Sequence, residues 1–340
     1  MKKQVLAVAA LFTNRSAKVA VLDCAFLDDN IISWNDGELY CTVPFKTGVK
    51  VGLNNSLLIK SLSAFAAPSY SCDKNLSLIM KEGTKKLTLG GDDPLNFPVP
   101  LEASKPTRIG SISSDNLDTI VKAIPFASKD NLRPAMTHIQ VHTHIVATDA
   151  HRLVFTKLET PLTREVLLTV KTVKLMDIFG GAWSVSVGTQ REKEAKLILL
   201  KNEEGVTITQ RDQEWRFPDW PVVVPTVDSE TPVAYFNKKE IMQALKEGAP
   251  FSNKSTYQVI LNLNSKAFLS FEDVDFSTHY TLDIFPEYDP KNHIQIGFNL
   301  KFLNEFLAIC PDRVKVNYFS PTKCIILEDK YLLMPLMLNC

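Results

Sequence analysis

Leu117, Ile120, Val121 and Ile124 fall three and four residues apart. That spacing places them on one face of a helix and predicts a helix over Asn116 to Phe126. Similar helices are expected at Lys2 to Phe12 and at Lys238 to Gly248, the last opened by Asn237 and Glu240 at capping-box spacing. A second kind of helix is expected over Ser56 to Phe65, Thr172 to Phe179 and Lys301 to Ile309. Between the helices, apolar and polar positions alternate, as over Ile32 to Val43 and Val259 to Phe271, which predicts short strands. Ile139, Val141 and Ile145 mark another strand-like run. The stretch Ala147-Thr148-Asp149-Ala150-His151-Arg152-Leu153 then leads into Val154-Phe155, as at the exit of a β-hairpin.

The pattern repeats at similar distances, from 114 to 125 residues. Phe97-Pro98 recurs 120 residues later as Phe217-Pro218, and Pro125-Phe126-Ala127-Ser128 recurs 125 later as Pro250-Phe251-Ser252. Phe12-Thr13-Asn14 precedes Phe126 by 114, and Lys60-Ser61-Leu62-Ser63-Ala64-Phe65 recurs 114 later as Lys174 to Phe179, with Asn304 to Ile309 as a third copy. The common period implies three diverged units, each with two helices dividing its strands into two groups. The fold class is therefore α+β.

At 340 residues the chain suits two or three domains, and 45% hydrophobic with 22% charged residues is a globular composition. Lysine plus arginine and aspartate plus glutamate both number 38, so the net charge is zero. A protein gripping DNA by charge alone would be basic, so neutrality argues against a simple groove binder but allows charge segregated by face. Cys24, Cys41, Cys72, Cys310, Cys324 and Cys340 show no C-x-x-C spacing, which suits a reduced cytosol better than a disulfide framework or a zinc site. No apolar run reaches membrane-spanning length. Met1-Lys2-Lys3 before Val5 to Phe12 has the charge and apolar core of a signal peptide, but the core is short, no A-x-A site follows, and an amphipathic first helix fits equally well. A cytoplasmic protein is expected.

Two groups of residues invite a chemical reading. Asp149 and His151 are spaced as a general acid/base pair, as the start of a metal site, or as two strand residues bonding to local backbone. His138, His142 and His144 fall at alternate positions on one strand face, where Asp149 or His151 could complete a zinc site, giving a metal-dependent enzyme as the alternative function. Against this, His142-Thr143-His144 falls where the hairpin should turn, and no catalytic glutamate accompanies it. With 13 glycines, the chain shows neither a phosphate-binding loop nor a nucleophile elbow.

The run Thr148-Asp149-x-His151-Arg152-Leu153 after a hairpin resembles the middle domain of the bacterial sliding clamp family, the β subunit of DNA polymerase III. Arg133-Pro134, Phe217-Pro218-Asp219-Trp220, Ile296-Gly297-Phe298-Asn299 and the ending Tyr331-Leu332-Leu333-Met334-Pro335-Leu336 resemble clamp segments in clamp order from about residue 107 onward. The first domain matches in outline and lacks the family's opening strand. The resemblance implies three clamp domains (1–106, 107–225 and 226–340), a head-to-tail dimeric ring around duplex DNA, no catalysis, no metal and no cofactor. It further implies tethering of a DNA polymerase and a clamp loader through short peptides, with no membrane contact. Carried over by position, the peptide pocket would comprise Met136, Thr148, Ala150, His151, Arg152, Leu153, Pro218, Val223, Asn299, Phe302, Thr322, Cys324, Leu333, Met334, Pro335 and Leu336. Contacts to DNA would come from Arg15, Lys18, Lys60, Lys122, Lys129, Lys171, Lys174, Lys239, Lys246, Lys254 and Lys301. The dimer joint would bring Lys85, Lys86, Leu87 and Leu89 against Pro250, Phe251, Asp273 and Asp275. The chain departs from the family at Ala150, where glycine is usual, at Val222 and Met337, where arginines occur, and in the extra Asn339-Cys340, which makes the pocket greasier.

Overall fold

The computed structural model describes residues 1–13, 20–97, 101–190 and 195–338. They form two compact units. The first comprises Met1–Ile124, His138–Ile145 and Lys157–Arg216; the second comprises Pro125–Thr137, Val146–Thr156 and Phe217–Cys340. The repeat unit expected over 107–225 is thus divided between them.

The first unit carries α1 (Lys2–Phe12), α2 (Asn55–Ala64), α3 (Ser114–Ala123) and α4 (Val170–Phe179). Its main sheet is antiparallel, in the order Lys50–Asn54, Cys24–Asp28, Ile31–Asn35, Leu39–Pro44, Thr207–Arg211, Lys196–Asn202, Trp183–Gln190, Ala103–Ile112. Leu39–Pro44 and Thr207–Arg211, far apart in sequence, pair with Ile208 opposite Cys41 and knit the sheet together. A separate three-stranded sheet runs Ser69–Cys72, Leu78–Glu82, Lys85–Leu89, leaving Lys85–Leu89 at an edge.

Helix α1 buries Val5, Val8, Ala9 and Phe12, so the apolar N-terminal run is a core helix face. Buried amides tie the layers together. Trp34 Nε1 donates to Asn55 Oδ1 (2.9 Å), and Asn55 Nδ2 donates to the Phe12 carbonyl at the end of α1 (3.3 Å). Gln210 accepts from the Thr172 hydroxyl (2.6 Å) and donates to the Leu167 carbonyl (2.7 Å), fixing the start of α4. Such groups are tolerated in a core because they are satisfied.

The second unit carries α5 (Lys238–Gly248) and α6 (Leu300–Ile309). They accompany a four-stranded sheet, Thr278–Asp283, Ala267–Asp273, Gln258–Leu263, Ile294–Asn299, with Thr278–Asp283 at an edge. Another sheet passes from Arg152–Lys157 through Tyr331–Leu333, Ile325–Leu327, Arg313–Asn317 and Val233–Asn237 to Glu287–Tyr288. Phe271, Phe298 and Phe306 are fully buried in this unit. A Cβ at Gly248 would lie 2.1 Å from the Phe271 ring, so α5 can approach its sheet this closely only with glycine there.

Five helices begin at a side-chain cap, as short polar residues before an apolar run predict. Asn54, Ser113, Thr169, Asn237 and Asn299 each accept from backbone N–H groups of the first turn. The helix expected over Asn116 to Phe126 starts earlier, because Ser113 caps it, and ends at Ala123, where Ile124–Phe126 tightens into a 3₁₀ turn around Pro125. Among the described residues, no helix is long and apolar enough to cross a membrane.

Candidate functional site

The hairpin exit at Thr148–Leu153 is built by its own polar side chains. Asp149 Oδ1 accepts from the backbone N–H of His151 (3.0 Å) and Arg152 (3.1 Å), and the Thr148 hydroxyl accepts from Ala150 N (3.1 Å) and donates to the Arg152 carbonyl (2.8 Å). This turn places Ala150 at φ +76°, a left-handed conformation that favours glycine.

The same turn delivers Arg152 into a fully occupied position. Its Nε donates to Asp149 Oδ2 (2.9 Å), Nη1 pairs with Glu305 on α6, and Nη2 donates to the Pro125 carbonyl (2.9 Å). The guanidinium lies over the Phe126 and Phe302 rings, 4.8 and 4.3 Å from their centroids. Asp149 is therefore the partner of Arg152, and His151 stacks on Phe302 at 6.0 Å; the two do not form an acid/base pair.

Above this floor lies a cavity of about 740 Å³, wholly within the second unit. Met136, Thr148, Ala150, Arg152, Leu153, Pro218, Val223, Thr322, Cys324 and Met334 line it, as the sequence analysis expects. Val222, noted as a departure from the family's arginine, lines it too, and so do Arg133, Asp219, Trp220, Val224, Pro225, Lys323 and Leu332, which are not among the expected pocket residues. Leu332 could have been found from strand alternation. Leu153 pairs with Leu332 and Arg152 with Leu333, so Leu332 shares the Leu153 face. Trp220 to Val223 form a 3₁₀ turn whose Val222 and Val223 are 79% and 56% exposed, a lip with no signal in hydrophobic period. Burial pushes the Cys324 thiol up to about 11, so it lines the cavity as a neutral, unreactive group.

Six expected pocket residues are not among the lining. Leu333 is fully buried on the opposite strand face. Asn299 caps α6, and its amide donates to the Thr256 carbonyl (3.1 Å). Phe302 and His151 stack on each other beside Arg152. Leu336 bonds through its N–H to the Gly297 carbonyl (2.8 Å), carrying Pro335 away with it.

The metal alternative loses its geometry. His138 is buried and packs edge-on against Trp215 at 5.1 Å, while His142 and His144 flank the hairpin turn, where the His144 ring meets the Thr143 hydroxyl (3.1 Å). Burial, and then Lys157, hold the His144 pKa below its ordinary value. Among the described residues, no three histidine, cysteine or acidic side chains come together as a metal set.

Of the expected DNA contacts, Lys60, Lys122, Lys129, Lys174, Lys239, Lys246, Lys254 and Lys301 are exposed. Lys301 lies 3.4 Å from the Tyr257 ring centroid. Lys171 is instead committed within the first unit, to Asp36 (2.6 Å) and to the face of Phe12 (3.7 Å). Arg15 and Lys18 lie outside the described residues, as do Asn339 and Cys340.

Of the expected joint residues, Lys85 and Lys86 are exposed and Leu87 and Leu89 half-buried on their edge strand. Pro250 is exposed, and Phe251 is 38% exposed, stacked on Tyr280 at 4.6 Å. Asp273 is not an outward acid. It is buried, and its carboxylate accepts from Asn253 Nδ2 (3.1 Å) and Asp275 N (3.1 Å). Asp275 is exposed and also takes a bond from Asn253 (2.9 Å). The edge strand Thr278–Asp283 itself is not among the expected joint residues, and Phe276 and Phe285 beside it are about 80% exposed.

No family model matches the chain, and no curated protein matches it in sequence. Solved structures do. The β subunit of DNA polymerase from Streptococcus pyogenes superposes with a TM-score of 0.82 at 18% identity, covering 98% of either chain. A DNA polymerase III β-subunit sliding clamp from Bartonella birtlesii, bound to griselimycin, gives 0.84 at 18% identity, covering 99% of this chain and 98% of its own. The C. crescentus β sliding clamp, with polyethylene glycol in the region assigned to β-motif tethering, gives 0.82 at 17% identity over 99% of this chain and 98% of its own. Across almost its whole length, then, this chain has the fold of the bacterial DNA polymerase III β-subunit sliding clamps.

Proposed function

We propose that this protein is a cytoplasmic, non-catalytic DNA sliding clamp. Two chains would join head to tail into a ring around duplex DNA and tether a DNA polymerase, and the loader that opens the ring, through short peptides. The observation that carries this reading is the end-to-end likeness in fold to sliding clamps. The three-fold sequence repeat supports a division at 1–106, 107–225 and 226–340, so that two chains supply six similar domains. Head-to-tail contacts close only when the rotation fits, and six domains are a closed set.

Two sheet edges suit the joint. Among the described residues, the strands Lys85–Leu89 and Thr278–Asp283 are each left unpaired on one side, and open edges recruit further strands, so the first of one chain could meet the second of its partner. Leu87 and Leu89 would meet Phe251, Phe276 and Tyr280, while Lys85 and Lys86 supply charge opposite Asp275 and Asp283. The eight exposed lysines support weak, mobile phosphate contacts, which suffice where enclosure rather than affinity holds the ring on DNA. The 740 Å³ cavity would take the partner peptide. Burying one leucine- or phenylalanine-sized anchor contributes roughly 1.5–3 kcal/mol. Two anchors contribute roughly 3–6 kcal/mol before ordering costs, so alone they give about millimolar to high-micromolar affinity, and main-chain and rim contacts must supply the rest of any tighter binding; affinity in this range permits exchange of partners.

Native mass spectrometry together with negative-stain imaging tests the reading. The expected result is a particle of twice 38.1 kDa that images as a ring. A monomer at micromolar concentration would refute it.

A further inference from the structure

The charges around the cavity mouth are unequal, and their placement bears on what kind of peptide can sit there. Arg152 adds no free positive charge, since its guanidinium is paired with two carboxylates, Asp149 and Glu305, which outnumber it. The buried part of the wall, including Met136, Leu153, Cys324 and Leu332, is apolar. At the rim, Arg133 precedes the 3₁₀ turn Pro134–Thr137, and Lys323 sits in the turn before Ile325–Leu327. Both are exposed, and neither forms an ion pair among the described residues. Asp219 is the one acid among the lining residues. The exposed rim therefore carries two unpaired cations to one acid, beside an apolar inner wall.

We infer that this pocket selects peptides whose apolar anchors are flanked by acidic residues, with Arg133 and Lys323 as the specificity-determining side chains. The inference rests on the peptide-pocket reading above and adds the chemistry of the partner. An apolar anchor gives affinity without discriminating among flanks. Two cations at the rim do discriminate, because a like charge brought against them is repelled while an aspartate or glutamate is attracted. Exposed pairs of this kind are individually weak, so the selectivity is modest, is set by both cations together and declines with salt.

The test uses two fluorescent peptides sharing a Gln-Leu-Ser-Leu-Phe core, one with aspartate at both ends and the other with lysine. Both are acetylated and amidated so that only the flanks differ. Titrated against the full-length protein at low salt, the aspartate-flanked peptide should bind about fivefold more tightly, the upper range for an exposed charge contact. In the double variant Arg133→Glu/Lys323→Glu the preference should reverse, while circular dichroism and thermal midpoint stay unchanged. Equal affinities in the wild type, or an aspartate preference that survives the double substitution, overturn the inference and leave the pocket reading standing. Failure of both peptides to bind the wild type overturns the two together.

Discussion

Arg152 shows how one residue type can serve a site without touching chemistry. Its guanidinium is held by Asp149, Glu305 and the Pro125 carbonyl and lies over two aromatic rings, so it acts as the floor on which the cavity rests. Its side chain is 7% exposed and that of Asp149 18%, whereas Glu305 is 47% exposed. Arg152→Met should therefore cost about 2 kcal/mol, because it strands a largely buried carboxylate. Glu305→Gln should cost under about 1 kcal/mol, since water screens that end. Equal losses in urea denaturation would contradict this division of roles. Ala150, strained at φ +76°, gives a second expectation. Ala150→Gly relieves roughly 1–2 kcal/mol of left-handed strain. It returns about 0.5–1 kcal/mol through unfolded-state freedom. A net gain of about 0.5 kcal/mol is expected, and a measured loss of 1 kcal/mol or more would show that the turn is not strained. The importance of Thr148 to Leu153 was legible in the sequence, but the role of its residues was not. Whether Asp149 faces His151 or Arg152 depends on where α6 packs, 150 residues away in the chain.

At the scale of elements, the helices were the most legible part, because apolar spacing and cap residues carry the same information twice. Lys2–Phe12 and Lys238–Gly248 have the bounds expected of them, while α3 starts earlier than its apolar spacing implies because Ser113 caps it. The caps are also where expected function gave way to structure. Asn299, placed in the pocket by resemblance, spends both ends of its amide on α6 and the Thr256 carbonyl. Asn237→Ala, which removes a cap alone, should cost about 1 kcal/mol. Asn299→Ala should cost more, because it also leaves the Thr256 carbonyl without that donor. If differential scanning calorimetry placed Asn237→Ala as the more damaging of the two, the cap assignment at Asn299 would be wrong. Sheet edges and the Trp220–Val223 lip were not legible. An edge strand has the same alternation as a central one, and only its missing neighbour marks it. In sequence, a buried cap such as Asp273 therefore looks like an interface acid, and an edge strand such as Thr278–Asp283 looks like a central one.

At the scale of the whole molecule, the proposed ring would hold DNA by topology. Net charge of zero, which argues against a groove binder, is then an expected property, because strong phosphate contacts would act as a brake. The joint should depend on apolar packing around Phe251, which stacks on Tyr280 beside the open edge. Phe251→Ala should shift the protein to monomer in sedimentation at concentrations where the wild type is dimeric; an unchanged dimer would move the joint elsewhere. Enclosure itself is measured directly on linear duplex DNA onto which the protein has been allowed to thread, after which both ends are blocked by bound streptavidin. Counterion release makes charge-held complexes dissociate steeply as salt rises, but it does not open a closed ring. The protein should therefore remain on end-blocked DNA through a high-salt wash and leave when a restriction enzyme cuts between the blocks. Equal salt-driven loss from blocked and unblocked DNA would show an ordinary DNA binder instead of a clamp.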